Sequence, residues 1–104
     1  MTEPDGLALE FGEGFADDEV VVLLDGQQVW HREGVTTNYS VGLADVARLP
    51  LPASRSATLE VRVRGSAQSH RVEAAAGGGE VRLRADLTPA GGLNLGPAPE
   101  GWIF

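Results

Sequence analysis

The chain has 104 residues, 42% of them hydrophobic and 22% charged, with a formal net charge of −7 and no cysteine. One domain is the natural count at this length, and no apolar run approaches the roughly 18–20 residues that a membrane-spanning helix needs. The acidic balance argues against a nucleic-acid partner, whose phosphates must be neutralised. The lack of thiols removes a disulfide frame, a cysteine nucleophile and a zinc site with sulfur ligands.

The charge is uneven along the chain. Residues 1–25 hold eight acids and no arginine, whereas residues 26–104 hold seven acids and all eight arginines. There is no lysine, which excludes a Schiff-base or phosphate-loop lysine. Arginine-only usage with abundant Ala, Gly and Val fits a GC-rich bacterial coding bias. The start, MTEPDGLALEFGEG, lacks the basic-plus-apolar pattern of a secretion signal. Together with the absence of the disulfides common in small secreted domains, it leads to the expectation of a cytoplasmic protein.

In chain order, Leu7, Leu9 and Phe11 alternate onto one face of a first strand. Val20-Val21-Val22-Leu23-Leu24 is a continuous apolar run, expected of a strand central in a core. Asp25-Gly26 follows, then Gln27 to Arg32. An Asp-Gly pair between two strand-like runs signals a tight hairpin, because both central residues of a type I′ turn need positive φ. Thr36 to Leu43 reads as a further strand. Leu43, Val46 and Ala47 fall at helical spacing, so a turn of helix before Pro50 competes there with a loop or strand edge. Thr58 to Arg64 and Glu80 to Leu87 alternate without a break, and Ser69 to Ala75 is a weaker strand. If Gly77-Gly78-Gly79 turns the last two into a hairpin, Glu73 faces Arg84 and Arg71 faces Asp86.

About seven strands with turn signals between them predict an all-β, antiparallel sandwich, immunoglobulin-like or transthyretin-like in architecture. No Cys-Trp-Cys frame or other family motif accompanies the pattern. The chain is expected to form a single domain over residues 1–104, with residues 1–6 flexible and residues 88–104 as a Pro/Gly-rich C-terminal arm.

Several groups of residues suggest chemistry, each beside a plainer role. Asp17-Asp18-Glu19, with Glu13 and Asp25, could supply calcium with oxygens, but the spacing matches no EF-hand loop and a solvated turn before a hydrophobic strand is the preferred reading. His31 and His70 lack spaced co-ligands or a nucleophile: Ser69 neighbours His70, yet adjacent strand residues face opposite ways. Arg62, Arg64, Arg71, Arg82 and Arg84 could line one sheet face and grip anions, or be neutralised by Glu60, Glu73, Glu80 and Asp86. Gly12-Glu13-Gly14 and the triple glycine lack the helix and lysine of a phosphate loop. Trp30, Tyr39 and Trp102 could stack on sugars, with Trp30 alternatively the anchor of the core. Trp102-Ile103-Phe104 closes the arm and could fold onto the domain or dock on a partner by strand addition.

The sequence therefore leads to a small non-catalytic module that binds another protein, without metal, cofactor, nucleic-acid or membrane involvement. Trp30, Tyr39, Trp102, Ile103 and Phe104 are its candidate binding residues, and sheet edges offer a route to homo-oligomers. A carbohydrate-binding module using Trp30 and Tyr39 is the alternative. A small enzyme of transthyretin-like build, using His31 or His70, is the second.

Overall fold

The structure, a computed structural model, describes residues 6–51, 56–73 and 80–98. Eight strands make up the described fold: β1 (Gly6–Phe11), β2 (Asp18–Leu24), β3 (Gln27–Val35), β4 (Asp45–Pro50), β5 (Ser56–Val63), β6 (Ser66–Glu73), β7 (Glu80–Leu87) and β8 (Leu93–Pro97). They form two four-stranded sheets of order β4-β1-β7-β8 and β3-β2-β5-β6. The core fills the space between them. Leu7, Leu9 and Phe11 of β1 and Leu83, Ala85 and Leu87 of β7 meet Val20, Val22, Leu24, Leu59, Val61 and Val63 from the opposite sheet. The all-β sandwich expected from the alternation is present.

The strand-like runs at Leu7–Phe11, Val20–Leu24 and Glu80–Leu87 become strands, and the run from Thr58 to Arg64 does so as far as Val63, with Arg64 in the turn that follows. β2 is central in its sheet, between β3 and β5; Val20, Val22 and Leu24 face the core, while Val21 on the other face is half-buried. Asp25 (φ 50°) and Gly26 (φ 83°) make the tight β2–β3 turn, as the Asp-Gly pair requires.

Several expectations are corrected. The sheets are not wholly antiparallel, because β1 pairs parallel with β7. The proposed hairpin between residues 69–75 and 80–87 does not form. β6 pairs with β5 in one sheet and β7 with β1 and β8 in the other, so Glu73 does not face Arg84, nor Arg71 Asp86. Alternation tells each strand which face is apolar; it does not name the neighbour.

The run from Thr36 to Leu43 is a turn-rich loop with one isolated bridge, Asn38 to Leu43. The Asn38 side chain accepts from the Ser40 N–H at 3.0 Å and Gly42 takes φ 73°, both turn chemistry. The helical spacing at Leu43, Val46 and Ala47 is incidental: β4 is an edge strand, with Ala47 and Leu49 buried and Val46 exposed. The arm from residue 88 contains β8, which pairs with β7 and buries Leu93. Residues 1–5, the triple glycine and the end from 99 lie outside the described residues.

Candidate binding surface

β3 and β6 are the edges of one sheet, β4 and β8 of the other. β6 lies against β8 and closes that side of the sandwich, while β3 and β4 touch sparsely. β3 is the longest strand, and most of its nine residues are exposed; among the described residues it pairs only with β2. Two irregularities bend it. Val22 opposes Trp30 and Leu23 opposes Gln28, so Val29 is an extra, bulged residue. Asp18 opposes Val35 while Val20 opposes Arg32, so Glu33 and Gly34 together face Glu19. Gly34 supplies φ 71° at this second bulge.

Trp30 packs against the margin of the core. It is half-buried, stacks on Phe11 with centroids 5.1 Å apart, and carries the Arg32 guanidinium 5.2 Å from its ring centre. Phe11 also meets Phe15 edge-on at 5.7 Å. The side chains of β3 on the other face, Val29, His31 and Glu33, are exposed.

Tyr39 is 71% exposed at the tip of the 38–43 loop. Its hydroxyl accepts the Gly14 N–H at 3.3 Å, and the ring borders a hollow of about 330 Å³ shared with Glu13, Arg64, Leu87, Thr88 and Pro89. Trp30 and Tyr39 thus play different parts: one is packed on Phe11, the other stands at a polar hollow. Trp102, Ile103 and Phe104 lie outside the described residues.

The acidic run from Asp17 to Glu19 separates into individual contacts. Asp18 is buried, and both its oxygens accept from Arg64, at 2.6 and 2.9 Å. Burial is the largest effect on this carboxyl and opposes its ionisation. The Arg64 hydrogen bonds, the Ala16 N–H and the Arg64 charge together outweigh it and hold the pKa below the usual carboxylate value. Asp25 instead accepts the Thr58 N–H at 2.9 Å and ties the β2–β3 turn to β5.

The arginines do not share one face. Arg62, Arg64 and Arg71 belong to one sheet or its hairpin, and Arg82 and Arg84 to the other. Arg62 bonds Glu60, Arg71 approaches Glu73 at 3.7 Å, and Arg82 bonds Glu10. Arg84 donates to Asp86 and to the Gly42 carbonyl. Glu10, only 4% exposed, lies between β4 and β7, with its Oε1 3.9 Å from Arg84. The neutralised, mixed surface is the one built.

Of the histidines, His70 is half-buried and donates from Nδ1 to the Arg71 carbonyl at 2.8 Å. His70 sits opposite Leu59 and Ser69 opposite Glu60, so these neighbours point to opposite faces. His31 is exposed and donates from Nε2 to Glu19 at 2.8 Å, with Glu33 beside them. Sequence reasoning missed that grouping. Its signal is Gly34, a lone glycine inside a strand, which marks a bulge. No family model matches the chain, and no curated protein or solved structure matches it either.

Proposed function

We propose that the domain is a non-catalytic interaction module that binds another protein along the open edge of β3, and that its sandwich is transthyretin-like rather than immunoglobulin-like. The observation that carries the binding role is β3 itself: nine residues, Gln27–Val35, mostly exposed and hydrogen-bonded on one side only among the described residues. At about 3.4 Å per residue the edge is roughly 30 Å long. An extended partner segment gains main-chain hydrogen bonds along such an edge, and alternate side chains give it specificity. The charges at Arg32 and Glu33 and the two bulges discourage indiscriminate pairing, so a specific partner is favoured over aggregation.

Strand order supports the architectural part. In the immunoglobulin constant arrangement the first two strands are neighbours and the second and third lie in different sheets. Here β1 and β2 lie in different sheets, and β2 and β3 form a hairpin.

The test uses Val29→Pro. Proline at an unpaired, bulged residue of an edge strand costs the parent sheet little, yet removes a donor and stiffens the edge. A partner captured from the native host and then purified should slow amide exchange along β3 and lose affinity for the variant. Equal affinity for both chains, or protection confined to other strands, would sink the reading. Sedimentation of the isolated chain shows whether the partner is a second copy.

One observation favours the carbohydrate-binding alternative: Tyr39 stands exposed at a hollow with Glu13, Arg64 and Thr88. On that reading an oligosaccharide panel shifts the Tyr39 ring resonances, and Tyr39→Ala removes the effect.

A further inference from the structure

We propose that Glu19, His31 and Glu33 form a binding site for a divalent transition metal of the zinc type. The proposal is independent of the partner reading, although the site lies on the same strand. One ligand atom from each residue lies within 4.8 Å of the other two. Zinc bonds to imidazole nitrogen and carboxylate oxygen are about 2.0–2.2 Å long, which places tetrahedral ligands roughly 3.4 Å apart. Exposed side chains close that difference by rotation, without moving the backbone.

The fold creates the grouping. His31 and Glu33 are two apart on β3 and share its outer face. The bulge at Gly34 sets Glu33 against Glu19 on β2. Trp30 and Arg32 belong to the other face, where Trp30 packs on Phe11 and Arg32 pairs with Asp45. The arginines of neighbouring β5 and its turn are engaged elsewhere, Arg62 by Glu60 and Arg64 by Asp18. The outer face at this point therefore carries two carboxylates and one imidazole, which suits a divalent cation.

Ligand type selects the ion. Calcium takes six to eight oxygens, whereas one imidazole with two carboxylates suits zinc and its transition-metal neighbours. His31 Nε2 now donates to Glu19. The ion takes the place of that proton, which moves to Nδ1 and leaves the Nε2 lone pair free to ligate. Three protein ligands leave a coordination position open for water or for a group on another molecule.

The test titrates the full chain with zinc chloride, and separately with calcium chloride, in a non-chelating buffer. Calorimetry gives the stoichiometry, and imidazole ¹⁵N resonances identify the ligand. The expected result is one saturable zinc per chain, with the His31 nitrogen signals moving. His31→Gln abolishes binding and His70→Gln leaves it unchanged. Glu19→Gln and Glu33→Gln each weaken it by at least the roughly tenfold lost when even a supporting partner of a ligand is removed. All four positions lie on the surface or at its margin, and melting curves confirm that each variant is folded. The proposal is overturned by no saturation up to about 1 mM zinc, by binding that survives His31→Gln, or by calcium binding as tightly as zinc.

Discussion

Asp18 shows how one side chain joins two hairpins. It opens β2, is 6% exposed, and receives Arg64 from the β5–β6 turn. Arg64 adopts a left-handed φ of 53° there, and its own pKa is raised, chiefly by the hydrogen bond to Asp18. Because the folded Asp18 carboxyl titrates below its ordinary value of 3.8, the unfolded chain binds protons more readily in acid. The pair's contribution is complete above about pH 3.8 and disappears as pH falls through the lower folded value. Melting curves from pH 6 to pH 2 should therefore show an acid-labile component that Asp18→Asn lacks. At neutral pH, Asp18→Ala should cost about 1.5–3 kcal/mol, the usual worth of a hydrogen bond to a charged group. An Asp18→Asn acid limb as steep as that of the parent chain would refute the assignment.

At the scale of elements, two tight hairpins and one late strand organise the sheets. Asp25-Gly26 and Arg64-Gly65 all have positive φ, the requirement of a two-residue type I′ turn. A Cβ at Gly26 would meet nothing within 4 Å, so Gly26→Ala tests backbone strain alone and should cost roughly 1–2 kcal/mol. Gly14 differs: at φ 90° its Cβ would lie 2.2 Å from the Leu87 carbonyl oxygen. Gly14→Ala must displace backbone as well and should be the more damaging in urea melts. Equal losses at the two sites would show that the Gly14 loop yields freely. β8 makes a different case. Truncation after Gly92 removes the antiparallel neighbour of β7 and the buried Leu93, whose burial alone is worth about 1.5–3 kcal/mol. The truncated chain should melt well below the full one, and a passive tail would leave the melt unchanged.

The whole molecule depends on joining distant segments. β1 and β7 pair Gly6 with Glu80 and Phe11 with Ala85, so the central pair of one sheet closes only after most of the chain is made. Non-local pairing of this kind places folding in the millisecond-to-second range, which stopped-flow Trp30 fluorescence can follow. Leu59 is fully buried in the core at the centre of the opposite sheet. Leu59→Ala should cost about 2–5 kcal/mol through lost burial and a residual cavity. Far-UV circular dichroism should be dominated by β-structure, and a spectrum one-third helical would contradict the fold.

Local chemistry in the sequence determined most strands and the first tight turn. Alternation at Thr58–Val63 and Glu80–Leu87, the apolar run at Val20–Leu24 and the Asp25-Gly26 pair each act over a few residues, so each is legible without the rest of the chain. Neighbours are not legible in this way. β6 and β7 follow one another in the chain, yet they enter different sheets, because burial is optimised across the core and not along the chain. The same tertiary pairing made β8 from a Pro/Gly-rich segment, since the free edge of β7 and a place for Leu93 outweighed poor strand propensity. It also turned Trp30 onto Phe11, left Tyr39 at the surface, and through the Gly34 bulge gathered Glu19, His31 and Glu33. Residues 12–14 apart meet there only because β2 and β3 pair in a bulged register, a property of two strands together that neither one carries by itself.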